Sequence, residues 1–132
     1  MRLYNTLSRS VEEVKPSDGT IRIYLCGVTV YDHSHIGHAR TIVVFDVLRR
    51  YLTYKGYKVI FVQNFTDVDD KIINAAKAKG IKPLELAEHF IEQYFNDFDR
   101  LNVLRADVYP RATQHIKEMH EIIKGLMDKG YA

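Results

Sequence analysis

The amino-acid sequence predicts an α/β protein built around a parallel sheet, and two observations carry that prediction. Two short, apolar, β-rich segments occur at residues 21–26 and 57–64, and a helical repeat of apolar residues lies between them. A strand, a crossover helix and a second strand form the βαβ unit of a parallel sheet. Because two strands are too few for a stable open sheet, the sequence also suggests that the chain holds only the first half of such a domain.

The first predicted strand, residues 21–26, follows turn residues at Ser17, Asp18 and Gly19. The crossover helix is predicted from a stripe of residues at helical spacing, namely Arg40, Val44, Val47, Leu48 and Tyr51. Gly56 ends this helix as a left-handed cap, and the second strand begins directly after it.

The remainder of the chain reads as helical. One helix runs from Lys71 to Lys79 and ends at Gly80, and the next opens at Pro83. The predicted core face of the longer helix is Ala87, Phe90, Ile91, Tyr94, Phe98 and Leu101. After a loop at residues 105–110, a last helix ends at Gly130 and places these residues on one face: Ile116, Met119, Ile123, Leu126 and Met127.

Composition limits the possible classes of protein. The 132 residues are 46% hydrophobic and 27% charged, which excludes intrinsic disorder. A single cysteine cannot form an internal disulfide framework, and no apolar run is long enough for a signal peptide or a membrane span. These features predict a soluble, cytoplasmic protein. The net charge of +2 is too small to indicate nucleic-acid binding by itself.

The loop at residues 26–38 is the strongest candidate for a functional site. It holds three of the six histidines, the only cysteine and a glycine where the helix begins. In an open parallel sheet, ligands bind at the carboxyl ends of the strands, and the loop after the first strand often meets a phosphate.

Two chemical interpretations compete for this loop. Thiolate and imidazole are the preferred ligands of zinc, so the loop could form a local metal site from Cys26, His33, His35 and His38. Their spacing does not match a usual structural zinc site. The alternative places His35 and His38 at a helix N-terminus, where imidazoles, backbone N–H groups and the helix dipole converge on a phosphate. Gly37 would let a nucleotide approach the backbone, and the phosphate interpretation is the favoured one.

An acidic cluster follows the second strand. Asp67, Asp69 and Asp70 could ligate Mg²⁺, since carboxylates bind hard cations. The favoured interpretation is structural, because Thr66 with Asp69 three positions later resembles a helix capping box, and acidic residues stabilise a first helical turn.

The loop residues also carry a family resemblance. His35, Ile36, Gly37 and His38 resemble the HIGH signature of class I aminoacyl-tRNA synthetases, and the surrounding sequence is similar to the cysteinyl-tRNA synthetase family. The supporting matches are residues 4–7, 24–32, 39–41, 64–72 and 110–113.

The resemblance implies a Rossmann-type catalytic domain, with a βαβ nucleotide-binding half at residues 1–80 and the start of a helical insertion at 81–132. His35 and His38 would act as catalytic residues on the ATP phosphates, and His35, Gly37 and His38 would bind ATP. The pocket for the amino acid and its adenylate would comprise Cys26, Gly27, Thr29, Thr41, Asn64 and Thr66.

The resemblance further implies cofactors and partners. Cys26 would be one of four protein ligands to a Zn²⁺ ion, one per full-length subunit, that also takes the substrate thiolate. ATP with Mg²⁺, L-cysteine and tRNA(Cys) would be the substrates of a monomeric enzyme that does not bind a membrane. Zinc suits this task, because it prefers thiolate to hydroxyl and can thereby separate cysteine from serine.

The sequence also departs from the family pattern. It lacks the other three zinc ligands, the later Lys-Met-Ser-Lys-Ser loop and an anticodon-binding domain, so the isolated chain is predicted to be inactive. Mycothiol cysteine ligase is a related alternative, but Val30 and Arg40 stand where that enzyme is expected to carry proline and a small residue. A non-catalytic binding module with an exposed strand edge is the alternative from a different class.

Overall fold

The computed structural model describes residues 1–16 and 18–132, and it begins with a hairpin that the sequence analysis did not predict. Strands β1 (Arg2–Asn5) and β2 (Ser10–Glu13) pair in antiparallel register. The Asn5 side chain accepts a hydrogen bond from the Leu7 N–H at 3.0 Å, which favours the turn between them. Both strands lie largely exposed, so their sequences carry little of the apolar alternation that signals a strand.

The predicted βαβ unit is confirmed. Strands β3 (Thr20–Leu25) and β4 (Lys58–Gln63) pair in parallel along their whole length, and helix α1 (Ile36–Tyr54) crosses between them. Gly56 has φ of 86°, the left-handed conformation predicted for the residue after the helix. Before β3, Asp18 caps the turn by accepting from the Thr20 N–H, whereas Ser17 of the predicted turn lies outside the described residues.

The buried face of α1 differs from the predicted stripe. Ile42 and Leu52 are the buried residues, and four of the five predicted ones are exposed, namely Arg40, Val44, Val47 and Tyr51. Leu48 is half-buried. The helix has two apolar sides. The buried side also carries Asp46 and Arg49, which bind the segment after α3, and these two charged residues interrupt the apolar pattern.

Helices α2 (Asp70–Lys79) and α3 (Pro83–Arg100) occur where the sequence predicts them and pack against each other. Gly80 ends α2 with φ of 67°. Five of the six predicted core residues of α3 are buried, namely Ala87, Phe90, Ile91, Tyr94 and Phe98. Leu101 was wrongly included, because α3 ends at Arg100 and leaves Leu101 54% exposed at the cap.

The segment predicted as a loop at residues 105–110 is more ordered than expected. It runs parallel to β4 through a bridge at Val62 with Val108, and the pairing continues beyond both with a bridge at Phe65 with Arg111. The Gln63 N–H donates to the Val108 carbonyl at 3.1 Å, so β4 has a hydrogen-bonded neighbour on both sides. Two arginines of α1 hold this part of the chain. Arg49 donates to the Arg105 carbonyl at 2.6 Å and to the Asp107 carboxylate at 2.9 Å. Arg50 donates to the Asn102 carbonyl, just before the segment, at 2.7 Å.

After a 3₁₀ turn at Ala112–Gln114, helix α4 (Ile116–Asp128) completes the described chain. Its predicted apolar residues share a face, and Gly130 follows the helix with φ of 74°. Within the described part of the chain, α4 buries no side chain, and these five residues remain between 41% and 59% exposed. None of the helices in the two described ranges combines the length and hydropathy that crossing a bilayer demands.

Candidate active site

The loops that leave β3 and β4 stay side by side beyond the sheet. The Thr66 N–H donates to the Val28 carbonyl at 3.1 Å, and the Val30 N–H donates to the Thr66 carbonyl at 3.3 Å. Thr29 and Thr66 thereby form a parallel bridge. The structure therefore brings the predicted site segments 26–30 and 64–66 together at the carboxyl edge of the sheet.

Gly27 and Asn64 form the closest contact between these loops. The Asn64 Oδ1 accepts hydrogen bonds from the Gly27 N–H at 2.7 Å and from the Tyr24 hydroxyl at 3.0 Å. A Cβ atom placed on Gly27 would lie 1.6 Å from the backbone oxygen of Asn64. Only glycine fits at this position, because the neighbouring atom is backbone and cannot move aside.

His35 and His38 cap helix α1 reciprocally. The His35 Nδ1 accepts from the Gly37 N–H at 3.1 Å, and the His38 Nδ1 accepts from the His35 N–H at 3.3 Å. The two rings stack with their centroids 3.8 Å apart. Because a ring nitrogen that accepts a hydrogen bond carries no proton, the N–H donor of each ring is on Nε2.

His38 is biased toward the neutral form. Burial lowers the pKa of its imidazole below the ordinary value, and the adjacent His35 ring lowers that pKa further. Protonation of Nδ1 would also remove the acceptor that caps α1. His38 is therefore suited to donate a hydrogen bond from Nε2 rather than to act as a fixed cation.

Gly37 and Thr41 shape the helix beneath these rings. A Cβ atom on Gly37 would lie 2.9 Å from the His35 Cε1, so a larger residue would push the imidazole out of its cap. The Thr41 hydroxyl donates to the Gly37 carbonyl at 3.3 Å, within the same helix. Thr41 thus faces the site with its hydroxyl already engaged by the backbone.

An open cleft of about 300 Å³ lies between the β3 loop and α1. It collects four of the six residues predicted for the amino-acid pocket, together with His38, and its lining includes Cys26, Gly27, Thr29, His38, Thr41 and Gln63. Asn64 lies on a separate, smaller surface beside Tyr24, and His35 lines a third cavity next to the end of α3. Neither Asn64 nor Thr66 lines the cleft itself.

Gln63 is a site residue that the sequence analysis missed. It is buried at the floor of the cleft, and its Oε1 accepts from the Tyr94 hydroxyl at 2.7 Å. Burial raises the pKa of Tyr94, which keeps that hydroxyl protonated as a donor. The available signal was a polar residue at the end of an otherwise apolar strand.

Cys26 is a free, exposed thiol at the mouth of the cleft, with only a weak contact from its Sγ to the Gly27 carbonyl at 3.9 Å. The neighbouring histidines have other partners. The rings of His33 and Phe90 form a T-shaped pair with their centroids 5.2 Å apart, and His35 and His38 cap α1. Across residues 1–16 and 18–132, no three His, Cys, Asp or Glu side chains come together as a metal site. Cys26 fits the donor chemistry of zinc, but it supplies one ligand only.

The acidic cluster after β4 is engaged in structural contacts. Asp69 caps α2 by accepting from the Lys71 N–H at 2.8 Å, and buried Asp67 accepts from the Thr113 N–H and hydroxyl at 2.9 and 2.6 Å. The predicted capping box was wrong in one respect. Asp69 itself is the N-cap, whereas Thr66, three residues before this cap, is still paired with Thr29.

Comparisons with known proteins identify the family of the chain. Residues 12–132 match the family model described as tRNA synthetases class I (C) catalytic domain. The chain belongs to this family of class I aminoacyl-tRNA synthetases.

Among curated proteins, the chain is similar over its entire length to cysteine–tRNA ligases, including those of the three organisms that follow. It is 57% identical to that of Caldicellulosiruptor saccharolyticus, 58% to that of Thermodesulfovibrio yellowstonii and 53% to that of Pyrococcus horikoshii. The chain spans 29%, 27% and 28% of those proteins, respectively.

A solved structure confirms the fold. The Mycobacterium tuberculosis methionyl-tRNA synthetase in complex with methionyl-adenylate superimposes with a TM-score of 0.61 at 24% identity, covering 70% of this chain and 18% of that one. This likeness, with the parallel β3–β4 pair, confirms the predicted first half of a Rossmann-type sheet.

Proposed function

We propose that this chain is the amino-terminal part of a cysteine–tRNA ligase. In the complete enzyme, the carboxylate of L-cysteine would attack the α-phosphorus of ATP, and the bond to pyrophosphate would break to leave cysteinyl-AMP. The cysteinyl group would then pass to tRNA(Cys). The observation that carries the proposal is the reciprocal His35–His38 cap directly beside a cleft that exposes Cys26. Identities of 53–58% to cysteine–tRNA ligases support it.

The two histidines would act on the nucleotide. Their Nε2–H donors stand at the N-terminus of α1, where the backbone N–H groups and the helix dipole also favour an anion. Because the cap holds both rings before substrate arrives, the donors need no reorganisation as charge develops at the α-phosphate. Mg²⁺ would accompany the ATP, and Gly37 would keep the backbone open to it.

The amino-acid side of the site would be formed by the two paired loops. Cys26, Gly27, Thr29 and Thr41 line the cleft. The neighbouring loop contacts two of these residues, since Asn64 accepts from the Gly27 N–H and Thr66 pairs with Thr29. Cys26 would be one of four ligands to zinc, the other three coming from outside this chain. A bound zinc ion would select the substrate thiolate over the hydroxyl of serine.

The proposal also assigns the parts of the chain. Residues 1–80 would form the nucleotide-binding half of the catalytic domain, and residues 81–132 would begin its helical insertion. The parent enzyme is proposed to be cytoplasmic and monomeric. The buried face of α3 supports a fixed junction between the two parts, because Phe90 and Tyr94 join one core with Phe61 and Phe65.

A chimera tests this function directly. This chain would replace the matched segment of the Caldicellulosiruptor saccharolyticus cysteine–tRNA ligase, with which it aligns over its full length. The chimera should support cysteine-dependent ATP–pyrophosphate exchange and should charge tRNA(Cys). The 132-residue chain alone should show neither activity above background. A folded chimera without exchange would contradict the proposal, and exchange without transfer to tRNA would favour a related cysteine ligase.

Substitutions in the chimera test the histidine assignment. His38→Ala should slow the single-turnover formation of cysteinyl-AMP by about 10²–10³-fold, while the KM for cysteine changes little. His33→Ala is the matched control, because His33 lies in the same loop but contacts Phe90. An unchanged rate in His38→Ala would remove this histidine from the chemistry.

A further inference from the structure

The side chain of Asn64 is bound to the loop that carries Cys26, although it does not line the cleft. Its Oδ1 receives the Gly27 N–H at 2.7 Å and the Tyr24 hydroxyl at 3.0 Å. A backbone N–H can only donate, so the accepting atom is the carboxamide oxygen. Both donors come from the chain immediately around Cys26.

The Gly27 N–H belongs to the peptide group that joins Cys26 to Gly27. Because a peptide group is planar, fixing its N–H fixes the orientation of the Cys26 carbonyl and limits the backbone rotation that aims the thiol. Strand β3 ends at Leu25, so the sheet does not hold this peptide. The exposed thiol makes only the weak 3.9 Å contact to the Gly27 carbonyl, which leaves Asn64 as a strong restraint on the loop.

The Tyr24 hydroxyl adds a second restraint. Tyr24 precedes Cys26 by two residues and reaches Asn64 from the exposed side of β3. Two donors on one oxygen hold the carboxamide in a single orientation. The two backbones are in close contact, since a Cβ atom placed on Gly27 would lie only 1.6 Å from the backbone oxygen of Asn64.

We infer that Asn64 is a positioning residue that aims Cys26 by binding the Cys26–Gly27 peptide through its carboxamide oxygen, with Tyr24 as the second anchor. The inference rests on the proposed function, in which Cys26 serves thiol recognition. It changes the role expected for Asn64, which acts through the loop rather than by touching the amino acid.

Three variants of the chimera separate these two roles. Asn64→Ala removes the acceptor, Asn64→Asp keeps an oxygen acceptor but loses the amide donor, and Tyr24→Phe removes only the second anchor. Asn74→Ala is the control, because Asn74 is an exposed asparagine on α2. Circular dichroism would confirm that each variant is folded.

The first measurement is hydrogen exchange in peptides that contain Gly27. Asn64→Ala should accelerate exchange at that amide by about tenfold, the equivalent of one hydrogen bond, whereas Asn64→Asp and the control should leave it protected. Tyr24→Phe should give a smaller acceleration. Hydrogen exchange reports the protection of the Gly27 amide whether or not the chimera is active. A failure of the proposed function would therefore be distinguishable from a failure of this inference.

The second measurement is the kinetics of amino-acid activation. Asn64→Ala should raise the KM for cysteine by about tenfold with the KM for ATP unchanged, and Asn64→Asp should restore most of the loss. Unchanged exchange at Gly27 in Asn64→Ala would overturn the inference. Loss of cysteine binding in Asn64→Asp with Gly27 still protected would also overturn it, since the amide would then contact substrate. If Asn64→Ala fails to fold, hydrogen exchange at Gly27 and the KM for cysteine in Asn64→Asp and Tyr24→Phe test the inference instead.

Discussion

Helices α3 and α4 both have an amphipathic sequence, but they differ in how much of their apolar face is buried. Both repeat apolar residues at helical spacing along one face. Helix α3 buries six side chains against α2 and the sheet, whereas α4 buries none of its own in the part of the chain that the structure describes. An amphipathic pattern therefore predicts which face of a helix is available for packing, and it does not predict whether that face is covered.

The same contrast divides the rest of the molecule. The packed part comprises β4, α2, α3 and the segment alongside β4, centred on Phe65, whose ring contacts Tyr94, Phe95 and Tyr109. The β1–β2 hairpin, the outer side of α1 and α4 expose apolar side chains. The candidate site lies against the packed part, since Gln63 at its floor is hydrogen-bonded to Tyr94 of α3.

The largest difference is expected between two isoleucines. Ile91→Ala in α3 should lower the free energy of unfolding of the chain by about 2–5 kcal/mol, because it opens a cavity in the core. Ile123→Ala in α4 should change that free energy by less than about 0.5 kcal/mol, because Ile123 is 51% exposed. Urea denaturation followed by circular dichroism measures both. Equal costs would show that the two faces are equally packed.

Removal of Asp67 tests the link between the β4 loop and the turn before α4. Asp67→Ala should destabilise the chain by about 1–3 kcal/mol, since the Thr113 N–H and hydroxyl would lose their buried acceptor. Exposed Asp70, in the first turn of α2, is the control, and its replacement by alanine should cost a few tenths of a kcal/mol. A comparable cost for the two variants in denaturant titrations would contradict a special role for Asp67.

The cap of α2 is expected to contribute less. Asp69→Ala should cost about 1 kcal/mol, because the Lys71 N–H loses its partner at the helix start. Thr66→Ala provides the comparison, since the structure places Thr66 in the bridge to Thr29 and not at the cap. Thermal unfolding would distinguish the two residues, and a larger loss for Thr66→Ala would restore the capping box predicted from the sequence.

The smallest expected effect concerns pH. The pKa of His38 is lowered in the folded chain, so its neutral form contributes stability above the unfolded pKa of about 6.5. That contribution should be lost as the pH falls from about 6.5 through the lowered folded value. Melting temperatures between pH 7.5 and 5 should fall less in His38→Gln than in the parent chain. The carboxyl groups with lowered pKa values, Glu12, Asp18 and Asp99, titrate below this window. An identical pH dependence in the two chains would contradict the neutral cap.

Local patterns account for what the sequence predicted. The strands and the helix of the βαβ unit were predictable because each is determined by residues close together in the sequence. Helix ends were predictable at Gly56, Gly80 and Gly130 because glycine readily adopts the left-handed conformation found there. The position of His35 and His38 at the start of α1 was also predictable, because the two residues lie within one helical turn of each other.

Non-local contacts account for what the sequence did not predict. The β1–β2 hairpin is exposed on both sides and lacks an apolar pattern. Residues 107–112 pair with β4 and the residues that follow it through two isolated bridges. The contact between Gly27 and Asn64 joins residues 37 positions apart, so spacing along the chain gave no sign of it. The buried face of α1 was missed because Asp46 and Arg49 are polar and yet face the packed segment.

The proposed recognition of cysteine through Cys26, in the cleft at the end of β3, is tested most directly by one substitution. Cys26→Ser in the chimera replaces a strong zinc ligand with a poor one at nearly constant size. The measurements are zinc bound per chain and the ratio of cysteine to serine activation, with a circular-dichroism melt as the folding control. Cys26→Ser should lose bound zinc and should show at least about a tenfold fall in that ratio. A folded variant that keeps its full zinc content and its full selectivity would contradict the proposal.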